Sequence, residues 1–381
     1  MIILKEIYLD HSATTRVRKD VLNEMLPYFY EEYGNPSSLY GIGREAKKAI
    51  ENARCKVANA LNCDKDEVYF TSCGSESDNL AIKGIAYANC NRGNHIITSK
   101  IEHPAILNAC KNLEKKGFRV TYLNCNENGF VDLKQLEQAI TKETILISVM
   151  TANNEIGTIQ NIKQIGEIAH KRNIIFHTDA VQAIGNVKID VKNMNIDMLS
   201  LSAHKFYGPK GVGALYVKNG INFERVQDGG HQERNKRSGT ENVAGIVGLG
   251  KAIEIADNRI YEYNRYLLNL RNYFIEKVTR KIENVKINGD LNRRLPGHIS
   301  ISFKDKDSQE ILLALDKRGI CASGGSACSS GENTPSHVLL AIGLPREWLN
   351  GTIRLTLGEE NTRNEIDYVV NSLETIIKNC D

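Results

Sequence analysis

The sequence predicts an α/β protein: a large unit built on a mostly parallel sheet between helices, with a smaller α+β unit behind it. Two observations lead there. Between about residues 66 and 217 the short apolar runs EVYFTS, HIITS, RVTYLN, TILISVM, IIFHT, DMLSLS and GALYV alternate with segments of helical length, and strands separated by helices favour a parallel sheet covered on both faces. Beyond about residue 240 the rhythm changes. A long helix runs to about 280, followed by the strand HISISF, a helix from Ser308 to Lys317, a glycine- and serine-rich loop, the strand GTIRLTLG and a last helix from Thr362 to Lys378. The change divides the chain into a large unit, 15–258, and a small one made of 1–14 and 259–381.

Bulk properties narrow the function. Of 381 residues, 41% are hydrophobic, enough for an ordinary core. Forty-nine basic residues against 46 acidic give a net charge of +3 with no dense Lys/Arg run, which argues against nucleic acid or a membrane surface as partner. The start, MIILKEIYLDHSATT, is broken by Lys5 and Glu6 too early for a signal peptide. No later segment approaches the ~20 apolar residues of a membrane span, so a cytoplasmic protein is expected. The 9 cysteines have no metal-binding spacing and read as thiols, with Cys55 and Cys110 as small core residues.

Ligands of such sheets bind beyond the carboxyl ends of the strands, so the residues after each run are the candidates for chemistry. Lys205 follows DMLSLS in SAHKFYGPKG; Asp179 ends IIFHTD, with Gln182 one helical turn on. His103 follows HIITS in IEHPA, Asn154 follows TILISVM in ANNEIG, and the small-residue turn with Gly74 and Ser75 follows VYFTS. Singly, each has a structural explanation: a surface lysine, or a helix cap at His103 or Asp179. Together they match one cofactor. Pyridoxal phosphate needs a lysine for covalent attachment, an acid on its ring nitrogen, a flat group over the ring and a cradle of helix amides for its phosphate. A further signal is GGSACSSGENTPSH, where Cys328 sits among glycines and serines, the setting of a reactive rather than a buried thiol.

The blocks YLDHSATT, EYGNPSS, FTSCGSESDNLAIKG, EHPA, ANNEIGT, HTDAVQ, SAHKFYGPKGVGALY, GGHQERNKRSGTEN, SGGSACSSG and TIRLTLG resemble, in that order and over almost the whole chain, cysteine desulfurases of the nitrogen-fixation and housekeeping iron-sulfur type. The resemblance implies a fold-type-I, pyridoxal-phosphate-dependent homodimer that removes sulfur from L-cysteine, giving L-alanine and a persulfide on Cys328. That persulfide passes to an acceptor protein, an iron-sulfur scaffold or a thiolation enzyme. It also implies roles: Lys205 as the cofactor lysine and base, His103 over the ring, Ser202 and His204 near the phosphate, Thr240 reaching the phosphate of the neighbouring subunit, Arg354 on the substrate carboxylate, and Asn35 and the His11 segment on the substrate-side wall. Ser75 stands where many relatives carry threonine, keeping the hydroxyl. Cys321, seven residues before Cys328, reads as packing rather than as a resolving thiol. The alternatives are a selenocysteine lyase or other enzyme of the same class, or a non-catalytic sulfur-carrier subunit.

Overall fold

The computed structural model describes residues 6–324 and 335–379. In chain order its strands are β1 (Ile7–Tyr8), β2 (Val68–Thr71), β3 (His95–Ser99), β4 (Arg119–Leu123), β5 (Thr144–Ser148), β6 (Ile175–Asp179), β7 (Met198–Ser202), β8 (Gly213–Val217), β9 (Val285–Ile287), β10 (His298–Phe303), β11 (Ile320–Cys321) and β12 (Thr352–Thr356). Strands β2 to β8 are the seven apolar runs. They form one sheet in the order β2-β8-β7-β6-β5-β3-β4, parallel from β7 through β4. Only β8 runs against its neighbours, with Met198 opposite Val217 and Val68 opposite Tyr216. The reason is the connection: ten residues, 203–212, separate β7 from β8, too few for the crossover that a parallel return requires.

Burial explains why these strands read as apolar runs rather than alternating ones. Every residue of β3, β5, β6, β7 and β8 is buried, as in a sheet with helices on both faces. Successive residues then enter opposite clusters: Ile97, Ile147 and Leu199 on one face, Ile96, Leu146 and Met198 on the other.

The long helix Val243–Lys281 extends about 58 Å at 1.5 Å per residue. Its first half packs on the helix Gly41–Leu61, closely enough that a Cβ on Gly250 would lie 2.7 Å from Ala53 Cα. Its second half, through Leu267, Leu270, Phe274 and Val278, joins a separate cluster with β10, β12, the helix Arg363–Asn379 and the N-terminal Ile7 and Leu9. There β12-β10-β9 form an antiparallel sheet, while β1 pairs with β11 in parallel. One expectation fails. Cys110 is buried, but Cys55 is exposed, because it sits on the outward face of the helix Gly41–Leu61 between the buried Arg54 and Val57.

Candidate active site

A cavity of about 220 Å³ opens beyond the carboxyl ends of the large sheet. Its lining includes Ser12, Ala13, Gly74, Ser75, Asp78, His103, Asn154, Asp179, Gln182, Ser202, His204, Lys205 and Arg354. Most of the large-unit candidates arrive there because their strands end there. Asp179 and Ser202 close β6 and β7, and Lys205 ends the short turn Ala203–Lys205. His103 precedes the helix Pro104–Glu114, and Gly74 opens the helix Gly74–Ala88 after β2.

Lys205 Nζ donates hydrogen bonds to the carbonyls of Ser12, at 2.5 Å, and Ala13, at 2.9 Å, and Gln182 Nε2 donates to the same Ser12 carbonyl at 3.0 Å. The N-terminal segment thus forms one wall around the lysine. His11 itself borders a smaller adjoining cavity, where burial lowers its pKa to about 4.

Asp179 is buried, and its Oδ1 accepts from the Val181 amide at 2.8 Å. Burial raises its pKa, and the Lys205 charge and that amide offset the rise only in part. His103 both caps a helix and borders the cavity. Its Nδ1 caps the following helix by accepting from Ala105 N at 3.1 Å, and its ring borders the cavity. Burial lowers its pKa, so the cap settles the tautomer: Nδ1 is the acceptor and Nε2 carries the proton.

At the other end, the helix Gly74–Ala88 has no side-chain cap on its first turn, which leaves amides free for an anion. Ser202 Oγ lies beside it, buried and without a hydrogen-bond partner. His204, paired through Nδ1 with Thr14 Oγ1 at 3.2 Å, has its pKa lowered to about 4, chiefly by burial and then by Lys205. An unpaired buried hydroxyl beside uncapped amides, with a lysine and a buried acid in the same cavity, fits the phosphate, aldehyde and ring nitrogen of pyridoxal phosphate.

Arg354 is not the water-facing residue that an edge strand allows. It is 2% exposed, with one terminal nitrogen on Asp10 Oδ1 at 2.7 Å, the other on the Asn154 carbonyl at 3.0 Å, and Nε unpaired.

Residues 7–369 match the aminotransferase class-V family model. A cysteine desulfurase, IscS, of Clostridium botulinum is 58% identical over 98% of this chain and 95% of its own length. The chain belongs to the class-V aminotransferases, among the cysteine desulfurases. It is a pyridoxal-phosphate-dependent sulfurtransferase. Among solved structures, a NifS-like protein superposes with a TM-score of 0.93 at 39% identity, covering 98% of this chain and 100% of that one. A structure titled SspA in complex with cysteine does so at 0.80 and 38%, over 94% and 100%.

Not every candidate of the desulfurase reaches the cavity. Asn35 is exposed, and its Oδ1 accepts from Ser37 N at 2.9 Å within a turn; the turn chemistry of GNPSS takes up its side chain. Thr240 is exposed on its own chain, and Cys328 lies outside the described residues. Cys321 Sγ donates to Glu6 Oε1 at 3.2 Å, and burial with that carboxylate pushes its pKa to about 11, which leaves almost no thiolate at neutral pH. Sequence reasoning missed two acids. Asp10 follows the two-residue β1, and Asp78 stands four residues after Gly74, on the same helix face; neither position stands out in the sequence.

Proposed function

We propose that the desulfurase works through the residues gathered at this cavity, in a cytoplasmic homodimer with composite sites. Bound there, pyridoxal phosphate supplies a covalent anchor for the substrate amine and an electron sink for its Cα. Lys205 holds the cofactor and takes the Cα proton on Nζ. Asp179 keeps the ring nitrogen protonated, His103 covers the ring, and Asn154 and Gln182 flank its oxygen. Gly74, Ser75, Ser202 and His204 receive the phosphate, and Arg354 holds the carboxylate of L-cysteine. Cys328 takes the sulfur as a persulfide and delivers it to an acceptor protein, an iron-sulfur scaffold or a thiolation enzyme. One observation carries this reading: the lysine, acid, histidine and arginine, drawn from positions 103 to 354, border a single cavity.

The division of labour follows the apolar clusters. We assign cofactor binding to 15–258 and the cysteine loop to the unit of 1–14 and 259–381, in keeping with the separate cluster of the latter. The dimer is supported by large apolar side chains crowded on one exposed stretch, including Tyr30 at 85% and Leu39 at 89% exposure, with Phe29 and Tyr33 beside them; a monomer rarely leaves such a patch open. The cytoplasmic setting agrees with the seven free thiols among the described residues. No helix among them is long and apolar enough to cross a membrane.

With L-cysteine and a thiol reductant, the purified enzyme is expected to release alanine and sulfide in equal amounts. Cys328→Ala should keep the visible absorbance of the bound cofactor and release neither product. A variant as active as the parent would remove Cys328 from the path. Composite sites predict complementation: at limiting cofactor, where Thr240→Ala dimers are largely unloaded, mixing Lys205→Ala subunits with Thr240→Ala subunits should restore activity, because one site per mixed dimer then has both residues intact. Thr240→Ala alone should weaken cofactor binding about tenfold, the loss of roughly 1.4 kcal/mol expected for one hydrogen bond to a charged group. Unchanged affinity would place Thr240 away from the phosphate.

A further inference from the structure

Asp179 is not the only acid on the cavity floor. Asp78, from the helix that covers this face of the sheet, borders the same cavity and is 1% exposed. The Ser200 hydroxyl is near enough to favour its charged form. Its Oδ1 has no hydrogen-bond partner and lies 3.9 Å from His177 Nε2. Ser200 stands opposite Asp179 in the β6–β7 register. His177, two residues before Asp179, points to the same face, with Nε2 3.0 Å from Ser200 Oγ and Nδ1 2.9 Å from Ser148 Oγ.

We propose that Asp78 is a positioning residue for Asp179: a carboxylic acid that holds the single proton of the pair, so that Asp179 alone is the anion at the ring-nitrogen site. Two buried carboxyl groups in one cavity do not both ionise, and their partners decide which keeps the proton. Asp179 has a backbone N–H and the facing Lys205 ammonium on its side. Asp78 has only the nearby Ser200 hydroxyl. His177 is no source of charge, because complete burial lowers its pKa to about 3. Glu102, the other acid facing Asp78, is pushed by burial to about 8 and is itself mostly neutral at pH 7. Cys73, at the start of the helix, is the remaining titratable neighbour. Burial and the Asp179 charge hold the Asp78 carboxyl well above its ordinary range.

This role rests on Asp179 as the ring-nitrogen acid, and the test separates the two. An acid raised in the folded state and ordinary, near pH 4, when unfolded contributes stability that is lost as pH rises above about 4. Asp78→Asn, isosteric with the neutral acid, removes that dependence. In denaturant titrations of the holoenzyme, repeated after cofactor removal, the folding equilibrium constant of Asp78→Asn should gain on the wild type by up to roughly tenfold per pH unit above about pH 4. The infrared difference between the two proteins at neutral pH should contain the carbonyl stretch of a protonated carboxylic acid. A stability difference that does not change with pH, with no such band, overturns the role of Asp78. Should the variant fail to fold, the infrared spectrum of wild-type enzyme with isotope-labelled aspartate decides in the same way. In parallel, Asp179→Asn should lose cofactor affinity; if its affinity and absorbance match the wild type, the ring-nitrogen reading falls and the role of Asp78 with it.

Discussion

Replacing Lys205 with alanine will reduce alanine formation by at least about 10³-fold, within the range that a positioned general base supplies. The cofactor will then be removable by dialysis. The geometry leaves no substitute. Among the described residues Lys205 is the only lysine bordering the cavity, with its amine fixed by the Ser12 and Ala13 carbonyls. An alternative base is His103, whose Nδ1 is occupied by the Ala105 amide and whose Nε2 carries a proton. Lys205→Arg should be as inactive, because it keeps the positive charge but cannot give up a proton at neutral pH. Single-turnover alanine formation under saturating cofactor checks the prediction. A residual rate above about a tenth of wild type would assign the proton transfer elsewhere.

The same geometry shows which parts of the site are legible in the sequence. Lys205, Asp179 and His103 end or follow strands whose complete burial makes them continuous apolar runs, and the strand-end rule for parallel sheets converts those runs into a list of site residues. Arg354 and Asp10 follow no such rule. They are 344 residues apart in sequence, and their strands are ones that periodicity cannot detect or place: β1 has two residues, and β12 is an edge strand in which an arginine ordinarily faces water. What buries Arg354 is the meeting of the N-terminal segment with the C-terminal sheet, where Asp10 bridges to Thr356 and Ser323 to Arg354. Asp78 was hidden for a different reason. An acid near the start of a helix is ordinary dipole chemistry, and only the helix packing over β6 and β7 turns it inward. Asn35 failed in the opposite sense, since local turn formation accounts for its side chain.

Arg354→Ala should lower kcat/KM for L-cysteine by about 10³-fold, mostly through KM, and should also destabilise the protein. Both effects have one origin. The guanidinium is already held at two of its three nitrogens by Asp10 and Asn154, so its orientation is set before a substrate carboxylate arrives and little ordering entropy is lost on binding. Charge-assisted contacts of this kind contribute about 1.5–3 kcal/mol each. Removing the arginine leaves the Asp10 carboxylate unpaired, and breaking a buried pair costs about 3 kcal/mol of folding stability. The two effects separate in a double-mutant cycle. Adding Asp10→Asn to Arg354→Ala should recover most of the lost stability and none of the lost kcat/KM, because the orphaned charge is gone while the carboxylate contact is still missing. Arg354→Lys should fall between, stable but without the planar fork, and lose about tenfold or more in kcat/KM. If Arg354→Ala instead unfolds more easily while KM stays at the wild-type value, Arg354 is a tie between the N-terminal segment and the small sheet, and another cation must hold the carboxylate.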